Sequence, residues 1–95
     1  MLDKTTIRPL IGLLRAQPQD LIETLTIEQI REHRRLIDVA TKLELQMNTS
    51  AGDERAKAEY AYLSAMITLH TQQTAVSTLV DLLGYIPHVS SDMAN

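Results

Sequence analysis

Ninety-five residues, 44% of them hydrophobic and 22% charged, with a net charge of −3, describe one small globular domain rather than a disordered or polycationic chain. Tyrosine is the only aromatic residue type, with three copies, and cysteine is absent. That excludes disulfides and thiolate metal sites, and leaves Leu, Ile, Val, Met and Ala to build a core suited to helix packing rather than to a β-sandwich.

In chain order, the opening Met1-Leu2-Asp3-Lys4 lacks the apolar run of a signal peptide, so a cytoplasmic protein is expected. Residues 1–7 are expected to fray. A short helix over 7–15 carries Pro9 in its first turn, where the missing amide hydrogen costs nothing. Its apolar residues, Ile7, Leu10, Ile11, Leu13 and Leu14, are dense for a terminal segment. Gln17-Pro18 breaks the run, and Asp20 to Leu25 has room for one further turn.

Thr26 and Gln29 have capping-box spacing, which predicts a long helix over 26–47 with Ile27, Ile30, Ile37, Ala40 and Met47 on one apolar side. The small, polar stretch Asn48–Asp53 reads as the loop of an antiparallel helix hairpin. A second long helix is predicted over 52–83, stopped by Gly84 and kept from resuming by Pro87. The tail over 90–95 is expected to be disordered.

The second long helix is the unusual one. From Tyr60 to Val80 there is no Asp, Glu, Lys or Arg. A helix of 21 residues is about 31 Å long, which matches a bilayer. Nine of those residues are Ser, Thr, Gln or His, however, which excludes a lipid-facing span. Tyr62, Met66, Leu69, Gln73, Val76, Val80 and Leu83 step by four and three, the spacing of a helix-packing seam. A mostly small stripe (Ala61, Ala65, Thr68, Gln72, Ala75, Leu79, Leu82) lies beside it. A charge-free helix packed on more than one side implies oligomerisation through that seam, with Gln73 either setting helix register or ending the buried part.

Catalytic and metal signatures are missing. Ile30, Ile67 and Tyr85 stand three residues before His33, His70 and His88, where a helical di-iron site needs Glu. There is no HExxH, GxSxG, phosphate-binding loop or dinucleotide-binding fingerprint. His70, beside the seam, reads as a hydrogen-bonded interface histidine before it reads as a pH sensor or ligand. Arg31, Arg34 and Arg35 form the basic cluster, with Glu28, Glu32 and Asp38 within ion-pairing distance on the same helix. Solvated pairing, a patch for an acidic protein surface and phosphate contact are the alternatives for that cluster. The expected chemistry is therefore non-enzymatic, with no cofactor, metal or small-molecule ligand.

Three stretches together resemble the TraM family of quorum-sensing antiactivators. They are Arg8-Pro9-Leu10-Ile11-Gly12-Leu13; Thr26-Ile27 with Ile30-Arg31 and His33-Arg34-Arg35-Leu36; and His70 and Gln72 followed by Ala75, Thr78-Leu79-Val80 and Leu83-Gly84-Tyr85-Ile86-Pro87 with Val89. They occur in the family's order and span most of the chain, although His88 stands where the family pattern has lysine. The resemblance implies an all-α homodimer with two long antiparallel helices per chain. It further implies binding to a LuxR-type activator similar to TraR, which responds to acyl-homoserine lactone. Such binding keeps the activator from its promoter DNA and holds plasmid conjugal transfer genes off, with no direct contact to nucleic acid or membrane.

Two readings from other classes stand beside it: a small DNA-binding regulator using Arg31, Arg34 and Arg35, and a purely structural dimerisation module. Within the antiactivator reading, the apolar ends outside the two-helix core are expected to grip the activator. Those residues are Arg8, Pro9, Leu10, Leu13 and Leu14 in the first segment and Tyr85, Ile86 and Pro87 in the last, with Arg34 added from the basic cluster. The alternative for the two apolar segments is that they only cover the ends of the bundle.

Overall fold

The computed structural model describes residues 4–90, with side chains from Leu10 onward. The architecture is all-α, as expected: α1 spans Lys4–Arg15, α2 spans Gln19–Asn48 and α3 spans Gly52–Leu83. The long helices α2 and α3 form an antiparallel hairpin, and α1 lies against α3. The principal extents are 51 × 36 × 14 Å. A helix with side chains is about 10–12 Å thick, so the hairpin is one layer deep, and among the described residues its broad faces have no covering layer.

Helix α2 starts earlier than its capping-box pattern suggests. Pro18 is the residue before its first turn, and its carbonyl accepts from the amides of Leu21 and Ile22 at 3.1 and 3.2 Å. Thr26 is instead an interior residue, fully buried, and its hydroxyl donates to the Ile22 carbonyl at 2.7 Å. A threonine returning its hydroxyl to the preceding turn satisfies itself inside a helix, so the same residue type serves where a cap was expected. Helix α1 also starts early, at Lys4. Pro9 therefore lies past the first turn, where it forgoes one intrahelical bond. The side chains of Arg8 and Pro9 lie outside the described residues, as does the tail beyond Ser90.

Only Thr49, Ser50 and Ala51 separate the long helices. The hydroxyls of Thr49 and Ser50 donate to the carbonyls of Leu45 and Gln46 at 2.9 and 2.7 Å, closing the last turn of α2. Arg55 reaches back across the loop to the Met47 carbonyl at 3.3 Å. At the far end Gly84 sits at φ 90° and its amide donates to the Val80 carbonyl at 2.8 Å. That left-handed conformation suits glycine and turns the chain sharply out of α3.

A set of buried and half-buried residues recurs at heptad spacing on both helices of the hairpin. On α2 they are Ile22, Thr26, Gln29, His33, Leu36, Ala40, Leu43 and Met47; on α3 they are Ala58, Tyr62, Ala65, Leu69, Gln72, Val76, Leu79 and Leu83. Alternating steps of four and three keep one stripe of each helix on the other. Ala40 and Ala58, 5% and 4% exposed, allow close approach near the loop. At the opposite end Ile22, Leu79 and Leu83 form the apolar cluster, and Leu14 of α1 and Leu25 pack against it. Among the described residues no helix is long and apolar enough to cross a membrane.

Candidate functional site

After Gly84 the chain returns along α2 as a short strap. The Tyr85 hydroxyl donates to the Glu23 carboxylate, Pro87 and Val89 are buried, and Arg34 donates from Nη1 to the Val89 carbonyl at 3.4 Å. The strap is thus latched at both ends to α2, eleven residues apart in sequence. Ile86 points away between the latches, 76% exposed. The hydrogen bond to Glu23 holds the Tyr85 phenol above its ordinary value of 10, because ionisation would remove the donor and set two negative groups together; a bond from Gln19 acts the other way.

The strap and α1 meet the same end of the hairpin. Leu14 is half-buried against the cluster of Ile22, Leu79 and Leu83, the last of which immediately precedes Gly84. Leu10 and Leu13 remain 53% and 67% exposed. Of the residues named for partner binding, Leu10, Leu13, Tyr85 and Ile86 are therefore displayed at one end, whereas Leu14 and Pro87 are tucked inward. Arg34 lies farther along α2, at the other latch of the strap.

Beyond that latch an open crevice of about 580 Å³ is lined by Glu28, Arg31, Glu32, Arg34, Arg35, Asp38 and Ser90. Its charges are unequally matched. Arg35 binds Glu32 through Nε and Nη2, at 2.9 and 2.6 Å. That bond lowers the Glu32 carboxyl below its usual range and raises the Arg35 guanidinium. Asp38 pairs with Lys42 at 3.1 Å. Among the described residues, neither Arg31 nor Arg34 forms an ion pair.

The outward face of α3 is apolar but not a packed seam within the chain. Tyr60, Leu63 and Ile67 are 78%, 55% and 69% exposed, and Met66 is 38% exposed. The predicted seam divides between two sides. Leu83 is buried in the core cluster, Tyr62, Leu69, Val76 and Val80 are half-buried, and Met66 and Gln73 are exposed. The buried polar residue of α3 is Gln72, whereas Gln73 donates to its neighbour Ser77 at 3.3 Å on the exposed side. His70 and His88 are exposed, and among the described residues no group of histidines and carboxylates is placed to hold a metal. The sequence pattern placed Gln29 in a cap and His33 outside any metal signature rather than on the seam between the long helices, and it gave Glu23 no role. The heptad stripe through 22, 26, 29, 33 and 36 was the signal for the first two; nothing local to Glu23 marks it as a latch.

Comparison with known proteins agrees with this architecture. The family model described as prokaryotic transcriptional repressor TraM matches residues 1–88. The chain is 44% identical to the transcriptional repressor TraM of Agrobacterium fabrum over 91 residues, covering 92% of this chain and 88% of the relative. It is 40% identical to the transcriptional repressor TraM of Rhizobium radiobacter over 89 residues, covering 90% and 87%. The crystal structure of a second quorum-sensing antiactivator, TraM2 from A. tumefaciens, superposes with a TM-score of 0.68 at 42% identity, covering 87% of this chain and 97% of that one. These relatives are named as regulators of transcription, not as enzymes. With a family model spanning most of its length and relatives at this identity, the chain belongs to the TraM family of prokaryotic transcriptional repressors.

Proposed function

We propose that this chain is an antiactivator: it binds a LuxR-type quorum-sensing activator similar to TraR and keeps that activator from its promoter DNA. Repression of plasmid conjugal transfer genes until acyl-homoserine lactone accumulates is the consequence. The observation that carries the reading is the exposure of Leu10, Leu13 and Ile86 around one end of the hairpin. Large apolar side chains grouped at a surface mark protein contacts, and the centre of such a patch supplies most of the binding energy. Tyr85 adds an aromatic ring with a polar tip at the same place. Arg8, Pro9 and Pro87 complete this surface in the proposal, the prolines by limiting the directions their backbone can take.

The working unit in this reading is a cytoplasmic homodimer. A hairpin one layer deep with Leu63, Met66 and Ile67 facing outward has an apolar stripe that a second copy would cover. The proposed dimer interface joins those residues to Gln73 and to the half-buried members of the seam, Tyr62, Leu69, Val76 and Val80, with Leu83 supporting it from within.

A gel-shift assay tests the function. The protein alone should leave promoter DNA unshifted and should remove DNA from a LuxR-type activator loaded with its acyl-homoserine lactone. Replacing Tyr85 and Ile86 by Ser, and separately deleting residues 1–14, should weaken activator binding at least tenfold, about 1.4 kcal/mol, while helical content persists. A DNA shift by the protein alone would favour the DNA-binding alternative. Unchanged activator binding in both variants would move the grip elsewhere on the hairpin.

A further inference from the structure

We infer that the crevice between Arg31 and Arg34 receives a carboxylate-bearing segment of the partner protein, seated against the end of the C-terminal strap. The inference rests on the antiactivator reading and names the chemistry that this part of the surface recognises.

The charge ledger of the crevice points there. Glu32 is engaged by Arg35 in a two-point bond and Asp38 by Lys42. Among the described residues, two guanidiniums, Arg31 and Arg34, then face a single remaining carboxylate, Glu28. Arg34 uses one amino group on the Val89 carbonyl, and a guanidinium has five donors. The planar fork suits a carboxylate approaching from the open side, where two parallel hydrogen bonds can form. About 580 Å³ is room for several side chains rather than for one ion.

A nucleic-acid backbone fits the same place poorly. Phosphate tracking needs a run of unopposed cations, whereas Glu28, Glu32 and Asp38 line this crevice and the whole chain carries −3. An acidic peptide segment that presents one or two carboxylates can meet Arg31 and Arg34 and pass Glu28 by. The strap is part of the site: the Val89 carbonyl fixes the Arg34 side chain, and Ser90 forms part of the crevice wall. A carboxylate on Arg34 must share the guanidinium with Val89 or take its place.

The experiment is a titration of a purified LuxR-type activator, loaded with its acyl-homoserine lactone, against the full chain over a range of ionic strength. Wild-type binding should weaken as salt rises. Arg31→Gln, which leaves the strap latch intact, should weaken binding at least fivefold, and Arg31→Gln with Arg34→Gln at least twentyfold with a flatter salt dependence. Removing the matched pair together, Glu32→Gln with Arg35→Gln, should change affinity less than twofold. Glu28→Gln, which deletes the opposing carboxylate, should tighten binding. Wild-type affinity and an unchanged salt response in the Arg31 variants overturn the crevice while leaving the antiactivator reading in place. Failure of the wild-type protein to bind activator removes both. A DNA shift by the chain alone that disappears in Arg31→Gln overturns the inference in favour of a phosphate ligand.

Discussion

Gln72 on α3 donates its side-chain amide to the backbone carbonyl of Gln29 on α2 at 3.3 Å, and also to that residue's side-chain oxygen, joining the two long helices across their seam. Gln72 is 8% exposed, and the residues before and after it along the seam, Leu69 and Val76, are apolar. Sliding the helices by one heptad would leave both amides against hydrocarbon, so the pair specifies register as well as adding stability.

Gln72→Leu should therefore destabilise the fold by about 1–3 kcal/mol, because the Gln29 side chain loses its donor inside the seam. Replacing both residues by Leu should recover most of that loss, since no unpaired polar group is left behind. Urea unfolding of the two single variants and the double variant gives the coupling directly. Additive losses would show that the two amides act independently.

The Tyr85 latch carries a pH dependence with a definite sign. Its phenol is held above 10, chiefly by the bond to Glu23. A group whose folded value is raised contributes stability that is complete below its unfolded value and disappears as pH rises through the folded one. The strap should stay latched at neutral pH and loosen only on the alkaline side of 10. Glu23→Gln should bring the Tyr85 ionisation back toward 10, followed by tyrosinate absorbance in a protein whose other two tyrosines are changed to Phe. An unmoved titration would show that Glu23 does not hold the ring.

His33 sits on the α2 stripe between Gln29 and Leu36, and its Nδ1 is buried without a hydrogen-bond partner among the described residues. An unpaired buried polar atom costs about 1–3 kcal/mol. His33→Leu keeps similar bulk and removes the orphan, so it should stabilise the protein by about 1 kcal/mol, a rise of about 4–8 °C in Tm for a domain of this size. Loss of stability in thermal melts would mean that the imidazole has a partner in the assembled protein.

The helical hairpin was legible because polarity and helix breakers coincide: the segment around Ser50 and Ala51 lacks apolar anchors, and Gly84 followed by Pro87 leaves a helix little choice. The start of α2 was harder, because Thr26 with Gln29 satisfies the capping-box spacing while Thr26 in fact bonds back to Ile22. The role of α3 was legible only in part. The stripe that packs on α2 and the seam expected to meet a second copy follow the same four–three spacing, and the two share Tyr62, Leu69, Val76 and Leu83. The strap was least legible, since Glu23 and Tyr85 are 62 residues apart and neither pattern nor propensity couples them.

That overlap on α3 separates two substitutions that look alike in sequence. Ile67 is 69% exposed in the single chain, whereas Leu69 is half-buried on the stripe facing α2. If a second copy covers the outer face, Ile67→Glu places an unpaired charge in the interface between copies but not inside the hairpin. Burial of such a charge costs several kcal/mol, enough to shift association by orders of magnitude. Ile67→Glu should therefore yield a helical monomer by sedimentation. Leu69→Glu should lose helical content as well, because its charge enters the hairpin itself. A dimer of wild-type affinity in Ile67→Glu would show that the outer face of α3 is not where the copies meet.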